Sequence, residues 1–136
     1  MESRFGQESA LATWAELSRD SLRAAKLLAR GGYYRSSVSR SYYAAYCATA
    51  GELTSRRVSF PHGWGNPAHE QPPGLVAHNL PLSRGTRHRF ARNLRLLRRA
   101  REDADYRPGT SVNQALVLEC LRLAGWVLET LEIDDD

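Results

Sequence analysis

Apolar residues recur along this chain at spacings of three and four, and nowhere with the period-two alternation of strands. The pattern predicts four helices. The first runs from about Ser9 to Ala29, with Leu11, Trp14, Ser18, Ser21, Leu22, Ala25 and Leu28 on one face, and Gly31-Gly32 ends it. The second covers about Tyr34 to Leu53. The third runs from about Gly85 to Asp105 and stops before Pro108-Gly109. The fourth starts after Thr110 or Ser111, either a fair N-cap, and reaches about Leu131. An acidic tail, "EIDDD" (132–136), is expected to fray. The expected fold class is all-α: one helical domain over residues 1–136, without internal repeats, and with a long loop at 54–83. That loop holds five of the six prolines and three of the four histidines, and its "GLVAHNL" (74–80) can form a short helical turn. So long a connection in a compact domain often marks function.

The second helix has two unlike faces. Val38, Tyr42, Ala45, Tyr46, Thr49 and Leu53 share one, with the Thr49 hydroxyl able to bond back to the preceding turn. Ser37, Ser41, Ala44, Ala48 and Gly51 form a second row at spacings of 4, 3, 4 and 3, all of them small. A row of small side chains admits another backbone to close range, where dispersion contacts are dense. Two partners fit that row: a helix of the same chain, which makes this the central helix of a tight bundle, or a second copy across a dimer seam.

In the third helix, Phe90, Leu94, Leu97 and Ala104 mark the apolar face. Arg101 falls on the same face, and Asp105 lies one turn further. A charged pair on a buried stripe needs hydrogen-bonding partners, and Arg40 and Tyr43 of the second helix are the expected ones. Opposite lie His88, Arg92, Arg95 and Arg99, a cationic stripe with Arg84 near its edge and Arg98 further round, uninterrupted by acid until Glu102. Such a stripe is either a solvated face or a contact surface for phosphates.

Composition changes this picture only in part. Of 136 residues, 42% are hydrophobic and 25% charged, ordinary for a globular domain with a core of its own. The net charge is +4, carried by 18 arginines and the single Lys26. Codon bias toward arginine explains that ratio as readily as selection for bidentate phosphate contacts, so position matters more than number. No apolar run approaches the roughly 20 residues of a membrane span, and "MESRFGQESA" lacks the basic-then-apolar layout of a secretion signal; a cytoplasmic location is expected. Cys47 and Cys120 both fall in helical patterns and read as small buried thiols rather than nucleophiles. His62, His69, His78 and His88 are separated by gaps of 7, 9 and 10, which fit no common metal-ligand pattern. No phosphate loop of the GxxxxGK[ST] type occurs. Neither metal nor cofactor is expected.

Two segments carry a family resemblance. "SRSYYAAYCATAGEL" (39–53) resembles the "SRxYYAxF" segment of HEPN domains, small helical domains of prokaryotic defence and toxin–antitoxin systems. "REDADY" (101–106) is similar to that family's "RxxADY", with Arg101, Asp105 and Tyr106 in the matching places beside Arg40 and Tyr43 of the first segment. "LARGGYYRSSV" resembles the lead-in "LLxxGxYxxAV", and "FPHGWGN" sits where the family often has a histidine. The resemblance spans about Leu17 to Val127. It implies a four- to five-helix up-and-down bundle, commonly a two-fold homodimer, of bacterial or archaeal origin. It also implies RNA as the substrate class, because many HEPN proteins are metal-independent ribonucleases whose site pairs an arginine with a histidine four to six residues downstream. Arginine would hold the scissile phosphate, and histidine would move protons at the ribose hydroxyl and the leaving oxygen.

Arg56 and Arg57 precede His62 at that spacing, but two such pairs are about what arginine abundance gives by chance. They also lie in a loop, whereas the family's motif usually opens a late helix. Arg57 and His62 are thus the candidate catalytic pair, with the standard motif absent or displaced. Two function classes follow: an RNA-cleaving or RNA-binding HEPN protein, or a non-catalytic dimerisation or adaptor subunit. The second would work with a nucleotidyltransferase-type antitoxin or another defence partner.

Overall fold

The computed structural model describes residues 12–60 and 65–134. Five helices make up its regular structure: α1 (Trp14–Arg30), α2 (Tyr34–Ser55), α3 (Pro72–Asn79), α4 (Arg84–Tyr106) and α5 (Gln114–Thr130). Among the described residues there is no strand, as the periodicity predicts.

Thr13 starts α1 with a reciprocal cap: its Oγ1 accepts from the Glu16 amide at 3.1 Å, and Glu16 Oε1 accepts from the Thr13 amide at 2.8 Å. This places the helix start later than expected, and Ser9 and Leu11 lie outside the described residues. The predicted face is otherwise the inner one, with Ser18, Ser21, Leu22 and Ala25 buried. Gly32 ends the helix at φ 83°, the left-handed conformation that suits glycine.

α2 is the central helix and touches the other four. Its small-residue row receives α1 of the same chain. Ser18 Oγ donates to the Ala44 carbonyl at 2.7 Å, and Ser37 Oγ donates to the Ala25 carbonyl at 2.7 Å. At Gly51 a Cβ would lie 2.6 Å from the Trp14 Cβ, so the approach there requires glycine. The row is therefore covered and offers no seam to a second copy. On the bulkier face Val38, Tyr42, Ala45, Tyr46, Thr49 and Leu53 are all buried, and the Thr49 hydroxyl donates to the Ala45 carbonyl at 2.8 Å.

The described part of the expected 54–83 loop holds more regular structure than its prolines suggest. Pro72 and Pro73 open α3, where a missing amide hydrogen costs nothing. Phe60, Pro67, Val76 and Leu80 are buried, pinning the connection to the core. α5 begins later than expected: its cap is Asn113, whose Oδ1 accepts from the Leu116 amide at 2.9 Å, rather than Thr110 or Ser111. The start of the acidic tail does not fray. The Ile133 amide donates to the Leu128 carbonyl at 2.9 Å, and the Ile133 side chain packs against the core.

Candidate nucleic-acid interface

α4 separates its two faces cleanly. Phe90, Leu94, Leu97 and Ala104 are buried, while His88, Arg92, Arg95 and Arg99 are exposed, as is Arg84. None of Arg92, Arg95 and Arg99 forms an ion pair among the described residues; Arg98 is half-buried and lies 3.5 Å from Glu102. Folding also brings in an acid that no pattern in the sequence signals. Glu70, from the segment before α3, lines an open groove with Pro73, Arg95, Arg98, Arg99 and Glu102. The stripe is thus cationic along its length but has carboxylates along one side.

The motif residues of the two distant segments meet where α2 crosses the end of α4. The Arg101 side chain is 13% exposed. One of its terminal nitrogens donates to the Tyr43 hydroxyl at 2.8 Å. Its Nε sits 3.1 Å from Asp105 Oδ2, within ion-pair range but off the line of a hydrogen bond. The guanidinium carbon lies 5.4 Å from the Tyr43 ring centre and 5.3 Å from that of Tyr106. Burial by itself would lower the Arg101 pKa; Tyr43, Tyr106 and Asp105 outweigh it and raise the value. Ser39 Oγ donates to Asp105 at 3.1 Å, and Arg40 stacks on Tyr43 at 4.8 Å. Arg101 and Asp105 pair with each other, and Tyr43 is shared between the two arginines.

His69 joins this cluster from the other side. Its ring stacks on Tyr46 at 4.5 Å, and its Nδ1 lies 2.5 Å from the Tyr42 hydroxyl. Burial, then Arg101 and Arg98, lower the His69 pKa against the opposing pull of Glu70. Burial also raises that of Tyr42 far above the ordinary phenol range. A neutral phenol thus shares a hydrogen bond with a neutral imidazole, its direction set by the imidazole tautomer. Tyr46 extends the network, donating to the Pro67 carbonyl at 2.5 Å and accepting from Asn66 at 3.0 Å. Sequence spacing marks His69 only as a poor metal ligand. Its link to Tyr42 crosses 27 residues and leaves no local pattern.

The candidate catalytic pair is less informative. Arg57 is exposed in the turn that closes α2, at φ 59°. His62 lies outside the described residues. Arg56 is engaged by Glu52, its Nε donating to Oε2 at 2.6 Å. Both cysteines are buried, and burial pushes the Cys120 thiol up to about 12 and raises that of Cys47, so neither supplies a thiolate near neutral pH. Among the described residues no three His, Cys, Asp or Glu side chains gather as metal ligands. No helix among them is long and apolar enough to cross a membrane.

The HEPN domain profile matches residues 11–134, nearly the whole sequence. The chain belongs to the HEPN domain family. Neither the curated proteins nor the solved structures returned a match. The all-α bundle is the fold this membership implies. Within this HEPN domain, Arg40, Tyr43, Arg101, Asp105 and Tyr106 form one cluster, and His88, Arg92, Arg95 and Arg99 form a separate surface on α4. Arg57 stands apart from the cluster: from Arg40 to the end of α2 at Ser55 is about 22 Å of helix at 1.5 Å per residue, and Arg57 lies beyond that end.

Proposed function

We propose that this HEPN domain binds single-stranded RNA along the outer face of α4. The observation that carries the reading is the exposed run of Arg92, Arg95 and Arg99 without ion-pair partners among the described residues. Each guanidinium presents a planar fork that matches two phosphate oxygens. His88 extends the run toward the start of the helix. Binding to phosphates alone gives little sequence preference and a steep dependence on salt. Filter binding of a short labelled RNA across a salt series tests this directly; no retention at low salt overturns it. Cleavage is a separate claim, resting on Arg57 and His62, and is checked by comparing RNA integrity after incubation with the unaltered protein and with His62→Ala.

A second reading has its own observation. Leu96, Ala100, Leu116 and Leu123 line an apolar groove between α4 and α5. That surface suits an adaptor subunit holding a second HEPN copy or a nucleotidyltransferase-type or other defence partner. α1 covers the small row of α2, so a two-fold pair would need a different face, and this groove is one. Sedimentation equilibrium at rising concentration distinguishes a stable pair from a monomer.

A further inference from the structure

Tyr106 is the last residue of α4 and is 67% exposed, more than any other large apolar side chain among the described residues. Tyr33 is nearly as exposed, but its ring lies over Gly31, where an added Cβ would meet it at 3.0 Å, so it shields the turn between α1 and α2. Tyr106 covers no such turn. Beside it lies the Arg101 guanidinium, 5.3 Å from the ring centre. That guanidinium is not free to move with the ring. Tyr43 holds it by a hydrogen bond at 2.8 Å and Asp105 by a charge contact at 3.1 Å, while Asp105 is itself fixed by Ser39. An aromatic ring is thus presented to solvent beside a fixed cation. Arg40, stacked on Tyr43 and without an ion pair among the described residues, adds a second cation to the same patch. Tyr106 follows Arg99 by seven positions on the same helix, about 10 Å along the axis.

We propose that Tyr106 is a stacking platform for a nucleobase of single-stranded RNA, with Arg101 fixed beside it. The site rests on the reading of α4 as an RNA surface and deepens it: the arginines take phosphates, and Tyr106 takes a base. Every base has a π-face, so the platform accepts any base and favours the larger purine rings. Arg101 keeps the surroundings of the ring cationic, which suits a strand whose neighbouring groups are phosphates. Glu102 and Asp103 lie between Arg99 and Tyr106 on α4 but are paired with Arg98 and Arg107, so a strand laid along α4 reaches Tyr106 past carboxylates already matched by arginines.

The test is fluorescence anisotropy with a labelled oligoadenylate and with a backbone of the same length carrying abasic sites, at one low salt concentration. Tyr106→Ala should weaken oligoadenylate binding about tenfold and leave binding of the abasic strand unchanged, whereas Tyr106→Phe should stay within about twofold of the unaltered protein on both. The salt slope should be the same in all three, since the arginines that meet phosphate are intact in each. Tyr106 is exposed at a helix end, so both variants should fold, which circular dichroism melting checks. If Tyr106→Ala weakens both strands equally or neither, while Arg92→Glu with Arg95→Glu weakens both, the platform is wrong and the RNA surface stands. If the unaltered protein binds neither strand, the RNA reading fails and the platform with it.

Discussion

The guanidinium of Arg35, in the first turn of α2, donates to the Thr110 carbonyl at 2.5 Å across 75 positions of sequence. The same group reaches four more carbonyls, those of Asp103, Ala104, Arg107 and Pro108, at 3.0 to 3.2 Å. These carbonyls lie at the end of α4 and in the turn that follows; those of Asp103 and Arg107 also accept from the Arg107 and Thr110 amides, at 3.2 and 3.0 Å. One side chain thus caps α4 and fixes the turn that leads to α5.

Arg35→Lys should therefore be costly despite keeping the charge. An ammonium cannot span five carbonyls arranged around a planar fork. Hydrogen bonds from a charged donor contribute more than neutral ones, and the site is partly exposed, so a loss of about 2–3 kcal/mol is expected. Urea denaturation checks it: an unchanged midpoint for Arg35→Lys would show that the cap is dispensable.

His69 makes a second prediction, on pH. Its folded pKa is lowered below the ordinary value, chiefly by burial and then by Arg101 and Arg98, with Glu70 opposing. The rings of Tyr42, Tyr43 and Tyr46 also face it, and burial keeps Tyr42 and Tyr46 neutral. The unfolded chain therefore takes up this proton at higher pH than the folded one does. Stability from the site is fully present above the ordinary value of about 6.5 and declines as pH falls below it, levelling off beneath the folded value. His69→Gln should flatten the fall in stability between about pH 7 and pH 5. The remaining histidines and carboxylates titrate in both proteins, so the difference between their urea midpoints is the readout. Parallel curves would remove His69 from the account.

How much of this was legible in the sequence depends on where the partners lie. The two faces of α2 and the buried face of α4 were readable, because periodicity along one helix reports which side is covered. What covers them was not. A row of Ser, Ala and Gly admits a helix of the same chain or of another on equal terms, and only the contacts of Trp14, Ser18 and Ala25 of α1 with α2 decide it. The Arg101 cluster was readable as a charge on an apolar stripe that needed partners. The Arg35 cap was not, because its acceptors are backbone carbonyls and no residue type announces them. Asn113 lost to Thr110 and Ser111 because all three are good caps and the apolar spacing fixes a helix start only to within a turn. Glu70 and His69 reach their places through a proline-rich connection with no repeating pattern.

Arg57, one of the two candidate catalytic residues, occupies the position after the α2 cap that usually belongs to glycine. Its φ of 59° is left-handed, its amide donates to the Thr54 carbonyl at 2.9 Å, and the next amide, of Val58, donates to the Leu53 carbonyl at 3.1 Å. A side chain there costs about 1 kcal/mol. Arg57→Gly should raise stability by roughly 0.5–1 kcal/mol, the gain being trimmed by the greater freedom of glycine in the unfolded chain. Thermal melting measures it. A more stable variant with undiminished RNA cleavage would separate Arg57 from any catalytic part.

The stripe on α4 gives the last prediction. Reversing Arg92 and Arg95 to glutamate changes four units of charge on a solvated face, and exposed charges contribute little to folding. Thermal stability should stay nearly constant. RNA affinity should not. Four phosphate contacts to a single strand imply a log–log salt slope of about −3, at roughly −0.7 per phosphate. With two of those guanidinium forks gone and two carboxylates added beside Glu70 and Glu102, the variant should show no measurable binding in moderate salt and a shallower slope at low salt. The groove supplies the converse test. Glu70 lines it with Arg95, Arg98 and Arg99 and opposes phosphates arriving there. Glu70→Gln should therefore tighten binding a few-fold at low salt, with the gain shrinking as added salt screens the carboxylate. Equal affinity of the unaltered protein and the double reversal would leave the stripe as a solvated face. The adaptor reading, with the apolar groove between α4 and α5 as its surface, would then be the one to test.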